Sequence, residues 1–452
     1  MPKTPHFSNK NFSIDTGITV TTQVVNVVLG LVTSVILARV LGPEGRGIYA
    51  LAMLLPTLIV TFGNVGIGPA TVYYVARGEF KSQEILGNNI LLSVAFGGLG
   101  LIAGLVVVLF FRQEVFPGIP PGYLLLSLVL VPIQFFFSYV RYLLLGAQRI
   151  KEFNCVQIAQ TSLFLGFIAI ALLGFKAGVT GAILAVLFTW LFADVLVFGL
   201  TKKVAGGIDL KPNTSYIKQA IIYGLQAHIS NILAFLNYRV DMFLVNSFVG
   251  PGAVGLYSIG VGLAERLWIV SKAAGTVLFP RVSAETDEER RKSFTPLVAR
   301  TVLWITAFAA LVLALLSRWI VLLLYSAKFL PTVGVLQSLL IGIIPLSASR
   351  VLANDISGRG RPILNTYRGI ITVVTNVVLN LLWIPRYGIV GAAWASTVSY
   401  TVSFLGALYF YCRLSGNPWT KILLPQPGDL AIYRRTGLAL GRWVRAKLRA
   451  SL

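Results

Sequence analysis

Charge is scarce in this chain. Only 12% of its 452 residues are charged, about half the roughly 25% of an ordinary soluble domain, and 16 Asp plus Glu stand against 38 Lys plus Arg. Two cysteines are too few for a secreted disulfide scaffold, and with two histidines they leave no zinc ligand set. No Walker motif or nucleophile elbow is present, so the chain reads as a non-enzyme. What is abundant is apolar surface: 56% of residues are hydrophobic and the mean hydropathy is +0.79. Disorder and a cytosolic enzyme are excluded, and a polytopic membrane protein remains. The net charge of +22 would by itself suit nucleic acid, so the placement of the positive residues decides what it means.

Apolar runs of about 20 residues cross ~30 Å of hydrocarbon as helices. Twelve are present, at about 16–40, 48–68, 85–111, 121–145, 153–173, 178–200, 217–248, 252–280, 296–325, 331–355, 363–385 and 388–412. They are too long and too continuous for the alternating strands of a β-barrel. Pro56, Pro132 and Pro345 predict kinks, whose freed backbone groups favour packed helices around a cavity. The first run exceeds a signal-peptide core of ~7 to 15 residues and is expected to remain as helix 1. With a cytoplasmic N-terminus, 28 of the 38 Lys and Arg fall in inner connections and tails and 7 in outer ones. That bias predicts a multi-pass protein with both termini cytoplasmic and removes nucleic acid as a partner. Cys155 and Cys412 read as reduced packing residues near inner helix ends.

The chain repeats itself. Gly42, Pro43, Gly47 and Tyr49 recur as Gly250, Pro251, Gly255 and Tyr257, and Gly178, Gly181, Ala182 and Ala185 recur as Gly388, Gly391, Ala392 and Ala395. Gly146 and Arg149 pair more loosely with Gly358 and Arg361. The expected organisation is therefore a head (1–12), a six-helix lobe (13–200), a linker (201–213), a second six-helix lobe (214–412) and a basic tail (413–452). Six is even, so both lobes enter from the same side and the repeat is parallel, its pseudo-twofold axis along the membrane normal. Two such lobes leave a crevice, and rocking them gives alternating access.

The segment Val35-Ile-Leu-Ala-Arg-Val-Leu-Gly-Pro-Glu-Gly-Arg-Gly-Ile-Tyr49, its echo at 250–257, the twelve helices and the short loops resemble the polysaccharide (O-antigen type) flippases. These belong to the multidrug/oligosaccharidyl-lipid/polysaccharide exporter superfamily. The resemblance covers about residues 12–412. It implies an all-α, MATE-like transporter of a prokaryotic plasma membrane that moves a polyprenyl-diphosphate-linked oligosaccharide from the cytoplasmic to the outer leaflet. It further implies coupling to Na+ or H+ with no other cofactor, and a monomer that glycan polymerase machinery could join. The Gly and Pro positions shape a turn and do not identify the cargo. Two other readings compete: a cation-coupled drug exporter of the same fold, which should favour an acidic or neutral cavity, and a glycan polymerase, which needs outer carboxylates. The outer connections hold only Glu44 and Glu114.

Ionisable residues deep in one half only are the functional candidates, because burying them in hydrocarbon is costly. Nearly all lie in the second half: Arg239, Asp241, Glu265 and Arg266 map by the repeat onto Leu31, Thr33, Thr57 and Leu58. Helix 7 has two polar faces, one with Tyr223, Gln226, Ser230, Asn237 and Asp241, the other with His228, Arg239 and Asn246. One is expected to point into the second lobe and one toward the crevice. Asp241, Asn376, Asn380 and Ser396 occupy one layer of helices 7, 11 and 12, an oxygen set suited to Na+ or equally to an interhelical hydrogen-bond cluster in which Arg239 or another base pairs Asp241.

The cargo implied by the resemblance carries a diphosphate, for which Arg239, Arg266, Lys272 and His228 form a candidate cationic crevice. Glu265 could neutralise one of these cations, Arg266 or Lys272 first. Gln23 and Asn26 lie on a polar stripe of helix 1 (Thr19, Thr22, Gln23, Asn26, Gly30, Thr33, Ser34) that serves either sugar hydroxyls or helix packing. Asp194 in helix 6 is a candidate charge partner, as a proton carrier or as a structural carboxyl. Between 430 and 449, Arg434, Arg435, Arg442, Arg445 and Arg449 face away from Leu430, Tyr433, Leu440, Trp443, Val444 and Leu448, the pattern of an interfacial helix on anionic lipid. Thr286-x-x-Glu289 has capping-box spacing.

Overall fold

The computed structural model describes residues 9–285, 287–426 and 429. Among these the chain is helical throughout, with no strand. Nine helices are long and apolar enough to cross a membrane, or ten when the bent pair after Gly250 counts as one span. Two of them, Thr21–Gly63 at 43 residues and Ile363–Ser415 at 53, are long enough for two crossings. Each is broken by a glycine outside helical space: Gly42 at φ 68°, ψ −179° and Gly388 at φ 56°, ψ −138°. The arrangement is thus consistent with twelve crossings. We number them α1 (9–41), α2 (43–63), α3 (Ser82–Phe110), α4 (Pro121–Gly146), α5 (Ile150–Gly174), α6 (Gly178–Ala205), α7 (Thr214–Val249), α8 (arms Pro251–Glu265 and Trp268–Ala284), α9 (Glu288–Tyr325), α10 (Thr332–Gly358), α11 (363–387) and α12 (389–415). A short helix, Ile67–Arg77, extends α2.

The sequence repeat now has a backbone meaning. Gly42 and its mate Gly250 (φ 103°), like Gly178 (φ 58°) and its mate Gly388, all take positive φ, where a Cβ is unfavourable and glycine is not. Each pair makes the same helix-to-helix turn in each lobe. The other repeated glycines serve approach. A Cβ on Gly47 would sit 1.7 Å from the Pro251 carbonyl oxygen, and one on Gly255 would sit 1.9 Å from that of Pro43. Residue 47 meets 251 while 255 meets 43, so the contact is isologous: the pseudo-twofold axis passes through it. Here α2 and the first arm of α8 seal one end of the interlobe crevice. Arg39 on the same face donates to the Leu324 carbonyl at 2.7 Å, and Asn246 to that of Pro117 at 3.1 Å, adding polar ties between lobes.

The α8 arms meet at 44°. No proline causes the bend; the hydrogen bonds tighten to i→i−3 spacing around Arg266 and Leu267, as in a 3₁₀ turn. Conversely, Pro56 and Pro345 lie inside continuous helices, and Pro132 follows an interruption at Val129.

The connections opposite the Gly42 turn carry most of the basic residues, and we call that side the basic face. Several of those residues are packed into the protein. Arg300 binds both carboxylate oxygens of Asp429 and donates to the Lys421 carbonyl; Arg359 binds Glu288 and Asp355; Arg368 donates to Ser403 Oγ at 3.2 Å. Asp287 caps α9, its side chain accepting from the Glu289 amide at 3.0 Å; Thr286 and the basic segment 430–452 lie outside the described residues. Cys155 is exposed on α5 and does not pack, while Cys412 is half-buried.

Candidate functional site

The lobes meet along two seams. One is filled. A Cβ on Gly66 or Gly224 would lie within 2.3 Å of backbone on the other glycine's strand of chain, the Tyr73 and Tyr223 rings stack at 4.6 Å, and His228 Nε2 donates to the Phe62 carbonyl at 3.0 Å. Two expectations change here. His228 is buried in this closed seam with its ring proton committed, so it does not join a cationic crevice. Tyr223 faces the first lobe, not the interior of the second, because aromatic stacking across the seam outweighs the helical-wheel grouping.

The other seam is open. Between α1, the second arm of α8 and α10 lies a cavity of about 580 Å³ lined by Gln23, Ser271, Lys272, Gly275, Arg350, Ala353 and Asn354. It sits toward the basic face. Lys272 is exposed, and neither it nor Arg350 has a carboxylate partner among the described residues. Arg350 is held by aromatic rings: its guanidinium lies 3.9 Å from the Trp268 ring centre and 5.4 Å from that of Tyr238, and it donates to the Tyr238 hydroxyl at 3.2 Å. Cation–π contacts of this kind orient a charge without cancelling it. Although the charge bias assigns Arg350 to an inner connection, it stands eight residues inside the end of α10, about 12 Å deep. A polar residue set every third or fourth position, Arg350 followed by Asn354, was the signal that could have placed it.

The other expected cations behave differently. Arg239 forms a bidentate pair with Glu265, at 2.7 and 3.1 Å. Glu265 therefore neutralises Arg239, and neither Arg266 nor Lys272, because the α8 bend turns it toward α7. Arg266, at the bend, donates to the Val27 carbonyl of α1 at 2.7 Å and is the polar tie across the open seam. On α1, Gln23 lines the cavity; Asn26, three residues on, has both amide atoms buried without a partner. Asp194 has no ion pair among the described residues, and its Oδ1 is buried and unpartnered, so it serves as no one's charge partner.

Inside the second lobe Asp241, Ser396, Asn376 and Asn380 join in that order in one hydrogen-bonded chain. Asp241 is 2% exposed. Its Oδ1 accepts from the Met242 amide at 2.8 Å, and its Oδ2 from Tyr257 Oη at 2.5 Å and Ser396 Oγ at 3.2 Å. Asn376 donates to Ser396 and Ser399, Asn380 donates to Asn376, and Ser399 donates to Asn237 Oδ1. Tyr257 enters the sequence pattern as a repeat residue, and its mate Tyr49 has no carboxylate partner among the described residues, so the repeat conceals this role. Among the described residues no Lys or Arg forms an ion pair with Asp241, whose hydrogen-bond donors are all neutral. The Gln226 side chain lies outside the described residues.

A bent, two-lobed helical membrane protein with a cation-lined interlobe cavity is, as a class, a transporter. The sequence profile of the polysaccharide biosynthesis protein family matches residues 14–285, and the chain belongs to that family. A putative O-antigen transporter of Shigella flexneri is 23% identical over 394 residues, 84% of this chain and 92% of its own. An uncharacterized membrane protein of Methanocaldococcus jannaschii is 25% identical over 202 residues, and the match spans 44% of this chain and only 40% of that protein. In fold the chain is similar to a lipid II flippase in an inward closed conformation, with a TM-score of 0.75 at 16% identity over 94% of this chain and 92% of that one.

Proposed function

We propose that the protein flips a polyprenyl-diphosphate-linked oligosaccharide across a prokaryotic plasma membrane, with the basic face cytoplasmic. The observation that carries this reading is the open seam: two cations without carboxylate partners among the described residues, Lys272 and Arg350, line one cavity from adjoining helices. A diphosphate bears about two negative charges and sheds water on entry, so it needs charge-assisted donors. Gln23, Asn26 and Asn354 add amide donors and acceptors for sugar hydroxyls, and the unpartnered Asn26 amide is otherwise a buried loss. The basic excess of that face supports its cytoplasmic placement. The sealed contact of Pro43 and Gly47 with Pro251 and Gly255 is the pivot about which the lobes rock. A drug exporter of the same fold fits less well, since the cavity is lined by cations and by no carboxylate.

Asp241 supports cation coupling. A buried carboxylate hydrogen-bonded only by neutral donors, with the neighbouring Arg239 already paired to Glu265, is stabilised as an anion by a further positive charge. Asn380 Oδ1, in the same hydrogen-bonded network, is buried and lacks a donor among the described residues. Asp241, Asn376, Asn380 and Ser396 would hold Na+, or Asp241 would take a proton; either supplies the missing positive charge.

The test is transport in proteoliposomes. A diphosphate-linked glycolipid is expected to move and a neutral-linked glycolipid of the same sugar is not; equal rates overturn the reading. Asp241→Asn is expected to abolish dependence on a Na+ or proton gradient, and an unchanged dependence removes Asp241 from coupling.

A further inference from the structure

A second cavity, of about 350 Å³, opens on the outer surface of the second lobe at the basic face, away from the crevice. It lies between the start of α11 and the end of α12. Arg361 and Arg413 flank it, and Ile363, Leu364, Phe410 and Leu414 form its apolar wall. Arg413 donates to Tyr409 Oη at 3.0 Å, which steers the guanidinium along that wall.

Two features set these arginines apart from their neighbours. Four acidic residues of the second lobe on this face are already engaged by other cations: Asp429 by Arg300, Glu288 and Asp355 by Arg359, Glu289 by Lys292. Arg361 and Arg413, both exposed, have no carboxylate partner among the described residues. The surrounding surface is that of a membrane boundary, with Tyr367 and Trp419 exposed.

The ligand must satisfy both halves of the groove. A soluble anion would use the arginines and leave the apolar wall uncovered, while a neutral hydrocarbon would cover the wall and leave two charges unmatched. A phosphodiester carrying acyl chains matches both, and basic pockets at helix ends on this side of a membrane have that chemistry. We propose that the groove binds one anionic phospholipid, its phosphate between Arg361 and Arg413 and its acyl chains along Ile363, Leu364, Phe410 and Leu414. The lipid would hold the ends of α11 and α12 together in the leaflet, and these are the helices that carry Asn376, Asn380 and Ser396. The proposal needs only that the protein spans a membrane, and it does not depend on the cargo.

The experiment counts lipid retained by the delipidated full-length protein in native mass spectrometry, with phosphatidylglycerol and phosphatidylcholine of identical acyl chains. Wild type is expected to retain one phosphatidylglycerol over phosphatidylcholine. Arg361→Gln/Arg413→Gln should bind it about twenty-fold more weakly, at roughly a few-fold for each cation near a leaflet. Arg361→Lys/Arg413→Lys should keep most of the binding, and Lys272→Gln/Arg350→Gln, which acts in the crevice, should keep all of it. Binding by the segment 430–452 is common to every variant and cancels. Should the double Gln variant fail to fold, Leu414→Glu puts a carboxylate in the groove with both arginines present and should lose the lipid as well. Undiminished phosphatidylglycerol binding by these variants, or equal retention of phosphatidylcholine, overturns the proposal. So does loss of polyprenyl diphosphate alone from the double Gln variant, which would make the groove a cargo entry.

Discussion

The two seams between the lobes are related by the internal repeat, yet one is sealed and the other holds a cavity. In the α2–α7 seam, glycine backbones touch, tyrosines stack and His228 hydrogen-bonds across. In the seam of α1 with α8 and α10, Arg266 donates to Val27 and the remaining space is about 580 Å³ lined by Lys272 and Arg350. Glycine keeps the backbone symmetry at the turns, and side chains break it everywhere that chemistry is needed. The proposed site sits where the repeat fails, as a site for one asymmetric cargo would, since a second copy across the axis adds nothing to it.

The comparison can be broken most severely at the open seam. Lys272→Gln/Arg350→Gln removes both cations that line the cavity and is expected to lower flipping in proteoliposomes by at least about a hundredfold, given about 1.5 to 3 kcal/mol for each hydrogen bond to a charged group. Wild-type rates in that variant would show that the cavity does not hold the diphosphate. At the closed seam, Gly224→Val inserts three carbons where a Cβ alone would meet the Val65 carbonyl at 2.2 Å. We expect about 1 to 3 kcal/mol of lost stability in thermal unfolding, together with access of a thiol reagent to a cysteine placed at Tyr223. An unmoved melting temperature and a protected cysteine would mean that this seam yields at no cost.

Smaller effects follow at the ion pairs. Glu265→Gln leaves the Arg239 charge without its bidentate partner and is expected to cost about 1 to 2 kcal/mol; Arg239→Gln added to it should restore most of that loss, as a double-mutant cycle would measure. The smallest is a pH effect outside the membrane. Hydrogen bonds from Arg300 hold the Asp429 carboxyl below its ordinary value. That tie is present at neutral pH and is lost as pH falls below the usual carboxylate value of about 4. Asp429→Asn should therefore differ from wild type in melting temperature at pH 7 and converge with it in acid.

Much of the architecture was legible because bilayers constrain sequence so strongly. Runs of apolar residues mark spans, and glycines repeated at a near-constant offset mark turns with positive φ. The layer of Asp241, Asn376, Asn380 and Ser396 was legible too, since depth follows from counting residues along a helix. Pairing was not. Glu265 could reach several cations by spacing, and only the bend at Arg266 and Leu267, which no proline announces, turns it to Arg239. Arg350 was hidden by its distance from the end of an apolar run, and His228 by a seam that closes over it.

The sequence by itself determined a multi-span, two-lobed helical membrane protein, because hydrophobic periodicity, charge bias and repeated glycines are local and additive signals. Tertiary structure alone decided which seam is open, which cations stay unpaired and what surrounds Asp241. Those outcomes depend on contacts between helices far apart in the chain, where a tilt of one helix exchanges a salt bridge for a cavity.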